Sequence, residues 1–229
     1  MEDIKNYKLL NEKFRLKYCI DRVIACALLA LASPIFLMVI CGVKLGGWFY
    51  PEDSGSIFYT EPRISAGEIF NIIKFRTVTM VAVEKIKNST DTRSITCSPN
   101  TTCAGKIILK WYLDEFPQLF NIAKGDISFV GPRPHIISHH ENDIKSGLIY
   151  RNIVKAGLLG IPQACKRRPG YAAMLGKMSI KHKSCNKVLD KLDGLYVKKC
   201  LKKSVFGIAL FDIYIIIQGL IVIMKGGGK

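Results

Sequence analysis

The sequence predicts an α+β chain, mainly helical. A small cytosolic domain with one β-hairpin is held at a membrane by an N-terminal helix broken at Ser33-Pro34 and by interfacial helix near the C-terminus. Three observations predict it. Residues 23–43 read VIACALLALASPIFLMVICGV without a charge, and about twenty apolar residues suffice to cross a bilayer. Residues 57–63 (IFYTEPR) and 69–76 (IFNIIKFR) look like strands joined at Ser65-Ala66-Gly67. Residues 113–134, LDEFPQLFNIAKGDISFVGPRP, place two adjacent carboxylates, a short amphipathic helix, a strand and a Pro-Arg-Pro loop in one segment.

The length suits one domain with an appended membrane element, divided as 1–48 (basic N-terminus and membrane helix), 49–204 (cytosolic catalytic domain) and 205–229 (apolar helix and tail). With 34 Lys and Arg against 18 Asp and Glu, the net charge is +16. That balance suits nucleic acid, anionic lipid or a phosphate-bearing substrate equally. The eight cysteines form no CxxC pair, so they read mostly as free thiols in a reducing compartment. One pair, Cys97 and Cys103, flanks a polar loop and could close a small ring.

Residues 23–43 match the apolar length of a membrane segment and are not read as an ordinary core helix, and no small-residue cleavage site marks them as a removable signal. Pro34 removes a helical hydrogen bond, so a kink is expected at Ser33-Pro34, with the Ser33 hydroxyl helping to satisfy the freed backbone. Lys5, Lys8, Lys13, Arg15, Lys17 and Arg22 precede the segment, and Lys44 and a basic domain follow it. Cations on both sides favour a helix that turns back to the cytoplasmic side, and a single crossing remains the competing geometry. The second apolar stretch, 205–224, carries Asp212 and Gln218, which share no polar face. A mid-helix carboxylate is unfavourable in lipid, so this helix is read as interfacial or packed on the domain, with Ile208, Phe211, Ile215 and Gly219 on one stripe.

On the second strand, alternation sets Phe70, Ile72, Lys74 and Arg76 on one side. Two cations there could grip a diphosphate, or could be ordinary surface charges at a strand end. Residues 78–104 lose periodicity after Lys87 and read as a mobile loop, within which two glycosylation sequons are chance matches. Asp114 is placed as the N-cap of a helix through Ala123, with Pro117 in the first turn, Phe116, Leu119, Phe120 and Ala123 as the buried stripe, and Lys124-Gly125 as the stop. Asp114 and Glu115 could bracket a metal or divide nucleophilic and proton-handling roles, although Asp-Glu at a helix start is also ordinary capping. A strand over 127–130 leads to Gly131-Pro132-Arg133-Pro134, whose prolines hold Arg133 for bidentate phosphate recognition, or for a pairing with Asp126. His135 and His139 have the spacing of a helical metal pair, but no HExxH accompanies them and a solvated helix start is preferred.

With these residues laid out, the chain resembles the bacterial sugar transferases that start glycan assembly, the monotopic polyprenol-phosphate phosphoglycosyl transferases. The resemblance rests on the helix broken at Ser33-Pro34, on Lys74-Phe75-Arg76-Thr77, on the block at 113–134, and on Val154-Lys155-Ala156-Gly157-Leu158-Leu159-Gly160 with Gln163. It implies a re-entrant helix at the cytoplasmic face of a bacterial inner membrane. It also implies that Asp114 attacks the β-phosphate of a UDP-sugar, releases UMP, and passes the sugar phosphate to undecaprenyl phosphate in the first membrane step of surface-glycan or exopolysaccharide assembly. Glu115 would share Mg²⁺ binding or acceptor activation with Asp114; Lys74, Arg76, Arg133 and Arg167 would contact phosphates or nucleotide. A homodimer paired through the helices is compatible with this reading.

The chain departs from the family's pattern at Leu109, where an arginine is usual and Lys110 stands adjacent. It departs again at Tyr112, which replaces a small hydroxyl residue, and at Ala156 and Leu159, which replace proline and threonine. These departures motivate the alternative of a catalytically inactive membrane scaffold that recruits glycan-assembly partners. A membrane-tethered nucleic-acid binder is suggested by charge alone and has no recognisable module, so no nucleic-acid partner is expected.

Overall fold

The computed structural model describes residues 2–87, 100–145, 150–165 and 185–224. In chain order the elements are α1 (Glu2–Phe49), β1 (Phe58–Ser65), β2 (Glu68–Phe75), α2 (Met80–Lys87), α3 (Cys103–Lys110), α4 (Gln118–Lys124), β3 (Ser128–Val130), α5 (Ile137–Lys145), β4 (Gly157–Leu159), α6 (Ile161–Cys165), α7 (Cys185–Leu201) and α8 (Val205–Met224). Short 3-10 turns form at Pro51–Asp53, Leu113–Glu115 and Tyr150–Asn152. Contacts divide the chain into a unit of residues 1–24, 62–70 and 122–229 and a unit of 25–61 and 71–121.

In the second of these units, α1 continues as helix through Pro34. A proline at 34 leaves the carbonyl four residues back without its N–H donor. Ser33 Oγ donates to that carbonyl, Ala30 O, at 2.8 Å, so the freed acceptor is satisfied inside the helix itself. Ala32, Phe36, Val39 and Val43 recur at three- and four-residue spacing and bury against Phe75 and Ile108, with Phe36 tilted onto Phe75 at 5.4 Å between ring centroids. Among the described residues, α1 and α8 are long and apolar enough to cross a membrane.

The predicted hairpin forms, with the reversal at Ala66-Gly67, both at positive φ. Part of the region expected to be a loop from 78 to 104 is helical among the described residues. It contains α2, and Thr102 starts α3 as an N-cap, its side chain accepting Gly105 N–H at 2.8 Å. Residues 88–99, and with them Cys97, lie outside the described residues. Cys19, Cys26, Cys41, Cys103 and Cys200 are free thiols, as expected.

In the other unit β3 and β4 pair in parallel, Ser128 with Gly157 and Val130 with Leu159. Two glycines let the strands continue this approach past Val130. A Cβ on Gly131 would stand 3.0 Å from Gly157 N, and one on Gly157 would run into Gly131. The core beneath gathers Phe14, Val130, Tyr150, Val154, Tyr196, Ile208 and Ile215. Helix α8 buries Ile208, Asp212, Ile215, Gly219 and Val222, a three/four spacing that includes the carboxylate. Asp212 is therefore part of the packed stripe, not a lipid-facing charge: Lys17 Nζ lies 3.2 Å from its Oδ2 and Tyr196 Oη donates to its Oδ1 at 2.8 Å. The same ammonium pairs with Asp21 at 2.9 Å and reaches Ser128 Oγ and Val130 O, which ties the polar side of α1 to β3.

Candidate active site

The dyad sits on a tight turn, not at a helix N-terminus. Helix α3 ends as Trp111 N–H closes onto Ile107 O at 3.1 Å, and the chain then reverses at Tyr112, whose φ of 55° and ψ of 30° are left-handed. A bulky residue adopts that conformation only when its surroundings hold it there, at about 1–3 kcal/mol. Leu113, Asp114 and Glu115 follow as a 3-10 turn closed by Phe116 N–H on Leu113 O at 3.1 Å. Residues three apart eclipse in this geometry. Leu113 and Phe116 accordingly share one side and pack on the cluster of Phe36, Val39, Phe75 and Ile108. Asp114 and Glu115, the residues between them, are half-buried and occupy the other sides of the turn.

The expected N-cap is thus displaced, because Pro117 breaks the hydrogen-bond run and α4 begins only at Gln118. The buried face of α4 shifts with it. Gln118, Leu119, Asn121 and Ile122 are buried, whereas Phe120, expected inside, is exposed. Asn121 uses its buried amide to fasten β2, accepting Ile73 N–H at 2.9 Å and donating to Asn71 O at 2.8 Å. Gly125 supplies the expected stop, at φ 92°.

Lys74 and Arg76 do not project together. Strand β2 ends at Phe75, which is buried, and the alternation ends with it. Lys74 stays half-exposed; Arg76 is 2% exposed and donates from Nε to Ser56 O at 2.6 Å, from Nη1 to Val78 O at 2.7 Å and from Nη2 to Asp53 O at 2.6 Å. Burial pulls its pKa down and Asp53 partly restores it. Asp53 in turn accepts Cys103 N–H at 2.8 Å, so Arg76 and Asp53 together join the segment after α1 to the end of β2 and the start of α3.

In the other unit, the Pro-Arg-Pro loop is fixed through its backbone. Gly157 N–H donates to Pro132 O at 2.9 Å, Arg133 N–H to Asp193 Oδ2 at 3.2 Å, and Ile64 N–H to His135 O at 3.0 Å. The Arg133 side chain is exposed. Asp126, its alternative partner by sequence, lies 3.4 Å from Lys124. His135 pairs with Ile64 in a bridge and precedes α5, so it shares no helix with His139; the half-buried ring has Nδ1 3.0 Å from Asp143 Oδ2. Burial first, then positive charge at Arg151 and the neighbouring His139, Arg63 and Arg133 side chains, pushes its pKa down to about 3.

Lys74, Arg76, Asp114 and Glu115 therefore belong to one unit and Arg133 to the other, while Arg167 lies outside the described residues. Arg151, Asp143 and Asp193 were missed by sequence reasoning, and Tyr112 was noted there as a departure in residue type, not as the left-handed turn residue. Arg151 had a local sign, its place just before the 154–160 motif; Asp193 had none.

The donor set at the dyad fits Mg²⁺. That ion takes one or two protein carboxylates and completes its octahedron with water and substrate phosphate. Among the described residues no group of three or more His, Cys, Asp or Glu gathers into a larger metal cage.

Two departures from the resembling family acquire structural reasons. Where proline is usual, Ala156 has an N–H that donates to Ser65 Oγ at 3.0 Å, a bond proline cannot make. Where threonine is usual, Leu159 packs on Gly219 of α8, its methyls 3.3 Å from where a Cβ would stand.

A family model described as bacterial sugar transferase matches residues 12–226. The chain is 32% identical to the UDP-glucose:undecaprenyl-phosphate glucose-1-phosphate transferase of Klebsiella pneumoniae, over 62% of this chain and 29% of that protein. It is 32% identical to the undecaprenyl-phosphate galactose phosphotransferase of Salmonella typhimurium, over 66% and 33%. With the exopolysaccharide production protein ExoY of Rhizobium meliloti it shares 34% identity, over 66% and 69%. The chain thus spans about a third of the length of the first two relatives and about two thirds of the third.

Proposed function

The chain belongs to the bacterial sugar transferase family, and on that premise we propose that it transfers a sugar 1-phosphate from a UDP-sugar to undecaprenyl phosphate, with release of UMP, through a covalent intermediate on Asp114. The observation that carries this reading is the dyad turn. Two half-buried carboxylates stand on a backbone fastened by Leu113 and Phe116 on either side, which suits a nucleophile that must meet a phosphorus atom in line.

In the first half-reaction an Asp114 carboxylate oxygen bonds to the β-phosphorus. The bond from that phosphorus to the bridging oxygen breaks, and UMP leaves with its electron pair. In the second, a phosphate oxygen of undecaprenyl phosphate bonds to the same phosphorus and the acyl phosphate bond breaks, which returns the carboxylate. Glu115 takes part in holding Mg²⁺ or in activating the acceptor. Mg²⁺, when bound by Asp114 and Glu115, offsets negative charge on the diphosphate. Arg133 and Lys74 supply cationic donors to phosphate, and Arg167 is assigned to the same task. Arg76, whose guanidinium is taken by carbonyls, acts in this reading by holding the segment after α1 in place.

The lipid acceptor requires a membrane site. The exposed apolar side chains of α1, among them Leu31, Leu37, Met38, Trp48 and Phe49, and those of α8, among them Phe206, Leu210, Ile217 and Met224, support it. We assign α1 as re-entrant, α8 as interfacial, and the site to the cytoplasmic face of a bacterial inner membrane, where the product enters surface-glycan assembly. The structural reasons found for Ala156 and Leu159 weaken the case for an inactive scaffold.

The test is UMP release by detergent-solubilised protein given Mg²⁺, undecaprenyl phosphate and a panel of UDP-sugars. Release by wild type and not by Asp114→Asn is expected; equal release by both removes the covalent role of Asp114, and no release with any donor favours the scaffold.

A further inference from the structure

The peptide groups on both sides of Arg133 are held by charges buried beneath the loop. Asp193 Oδ2 accepts Arg133 N–H at 3.2 Å and Arg151 Nη2 at 2.9 Å. Arg151 Nε donates to Arg133 O at 3.3 Å, and Nη1 to Asp143 Oδ2 at 2.8 Å. Arg151, Asp143 and Asp193 are 3%, 6% and 2% exposed. The fit leaves no slack, for a Cβ on Gly160 would lie 3.2 Å from Asp193 Oδ1 and 3.0 Å from Gly131 O. Burying one guanidinium with two carboxylates is no efficient way to stabilise a fold, since apolar groups of similar volume do as well or better. What apolar groups cannot do is accept from one peptide and donate to the next across a single residue.

We propose that Arg151 and Asp193 are positioning residues for Arg133. They hold the backbone N–H and C=O of that residue so that its exposed guanidinium starts from a fixed Cα and meets substrate phosphate with little freedom left to lose. The prolines at 132 and 134 restrict the loop's own dihedrals, and the buried pair fixes the loop to the domain. This inference rests on the reading of Arg133 as a phosphate contact.

The full-length protein in detergent, with Arg151→Lys and Asp193→Asn each made alone and combined with Arg133→Ala, tests it. Lysine keeps the charge at 151 but gathers its donors on one nitrogen, so it cannot reproduce the fork whose Nε, Nη1 and Nη2 reach Arg133 O, Asp143 and Asp193 separately; asparagine keeps the size at 193 and removes the charge. Each single variant is expected to lower kcat/KM for UMP release about 10- to 100-fold. Each loss should shrink to within about twofold in the Arg133→Ala background, because a positioning residue has nothing left to position there. Amide exchange at Arg133, read by mass spectrometry, should quicken about tenfold or more in both single variants. Losses that multiply with Arg133→Ala, wild-type kcat/KM in both variants, or unchanged exchange would overturn the proposal. If Arg151→Lys melts below the assay temperature, the isosteric Asp193→Asn carries the test. Should wild type release no UMP, the transferase reading fails by itself, and amide exchange still decides whether the pair holds the loop.

Discussion

The dyad turn and the Pro-Arg-Pro loop both present charged side chains from a fixed backbone, and they achieve it by opposite means. Around Asp114 and Glu115 the fastening is apolar and local: Leu113 and Phe116 anchor the turn to the α1, β2 and α3 side chains of its own unit, and a left-handed Tyr112 sets its entry. Around Arg133 the fastening is polar and distant in sequence, through Asp193 and Arg151. An apolar clamp brings no charges of its own to the turn. A buried ionic clamp brings charges of its own, and its integrity depends on their protonation.

The contrast can be broken at several points. The largest effect is expected at the chemistry itself: Asp114→Asn should reduce UMP release at least about a thousandfold, measured beside wild type at equal folded protein. Next is Lys17→Met, which leaves Asp21 and Asp212 facing each other without their shared cation. It should destabilise the protein by about 3–5 kcal/mol, read as a lower unfolding midpoint in detergent.

The ionic side also predicts a pH dependence. His135 is held neutral in the fold by burial and by Arg151, with its pKa pushed down to about 3, whereas in the unfolded chain it titrates near 6.5. Between those values the unfolded chain binds a proton that the folded chain refuses, so stability is complete above about pH 6.5 and falls as pH drops toward 3, by about 2 kcal/mol at pH 5. The stability of wild type relative to His135→Gln should fall as pH drops through this window; a constant difference between them would show that His135 is not the group responsible. The smallest effect is at Tyr112. Replacing it with valine, whose β-branch disfavours φ of 55°, should lower stability by about 1–3 kcal/mol, while glycine, which adopts that conformation without strain, should be the less destabilising of the two. Equal effects from both would mean that the ring's packing, and not the backbone, is what matters there.

The same contrast separates what the sequence disclosed from what it did not. The hairpin, the 127–130 strand, the Gly125 stop and the apolar helices follow from periodicity and turn chemistry within a few residues of each other, and they were legible. The start of α4 was misplaced because an Asp-Glu-x-Pro run satisfies the rules for an N-cap; the reversal at Tyr112, which sets a 3-10 turn instead, leaves no mark in residue type. Arg76 read as a surface cation because strand alternation was carried one residue past the end of β2. Asp212 looked misplaced in an apolar helix until Lys17 and Tyr196 were found beside it. Asp193 could not be read at all, since its partner lies 60 residues away. Buried charges announce themselves only through partners, and partners are a property of the fold.

The central claim is the covalent role of Asp114, and intact-mass spectrometry of the protein mixed with Mg²⁺ and its UDP-sugar, with undecaprenyl phosphate withheld, tests it most directly. The account predicts a mass increase of one sugar phosphate, mapped to Asp114, formed with UMP and lost on addition of undecaprenyl phosphate. UMP appearing only after the acceptor is added, with no adduct at any time, would contradict it and point to direct transfer between the two substrates.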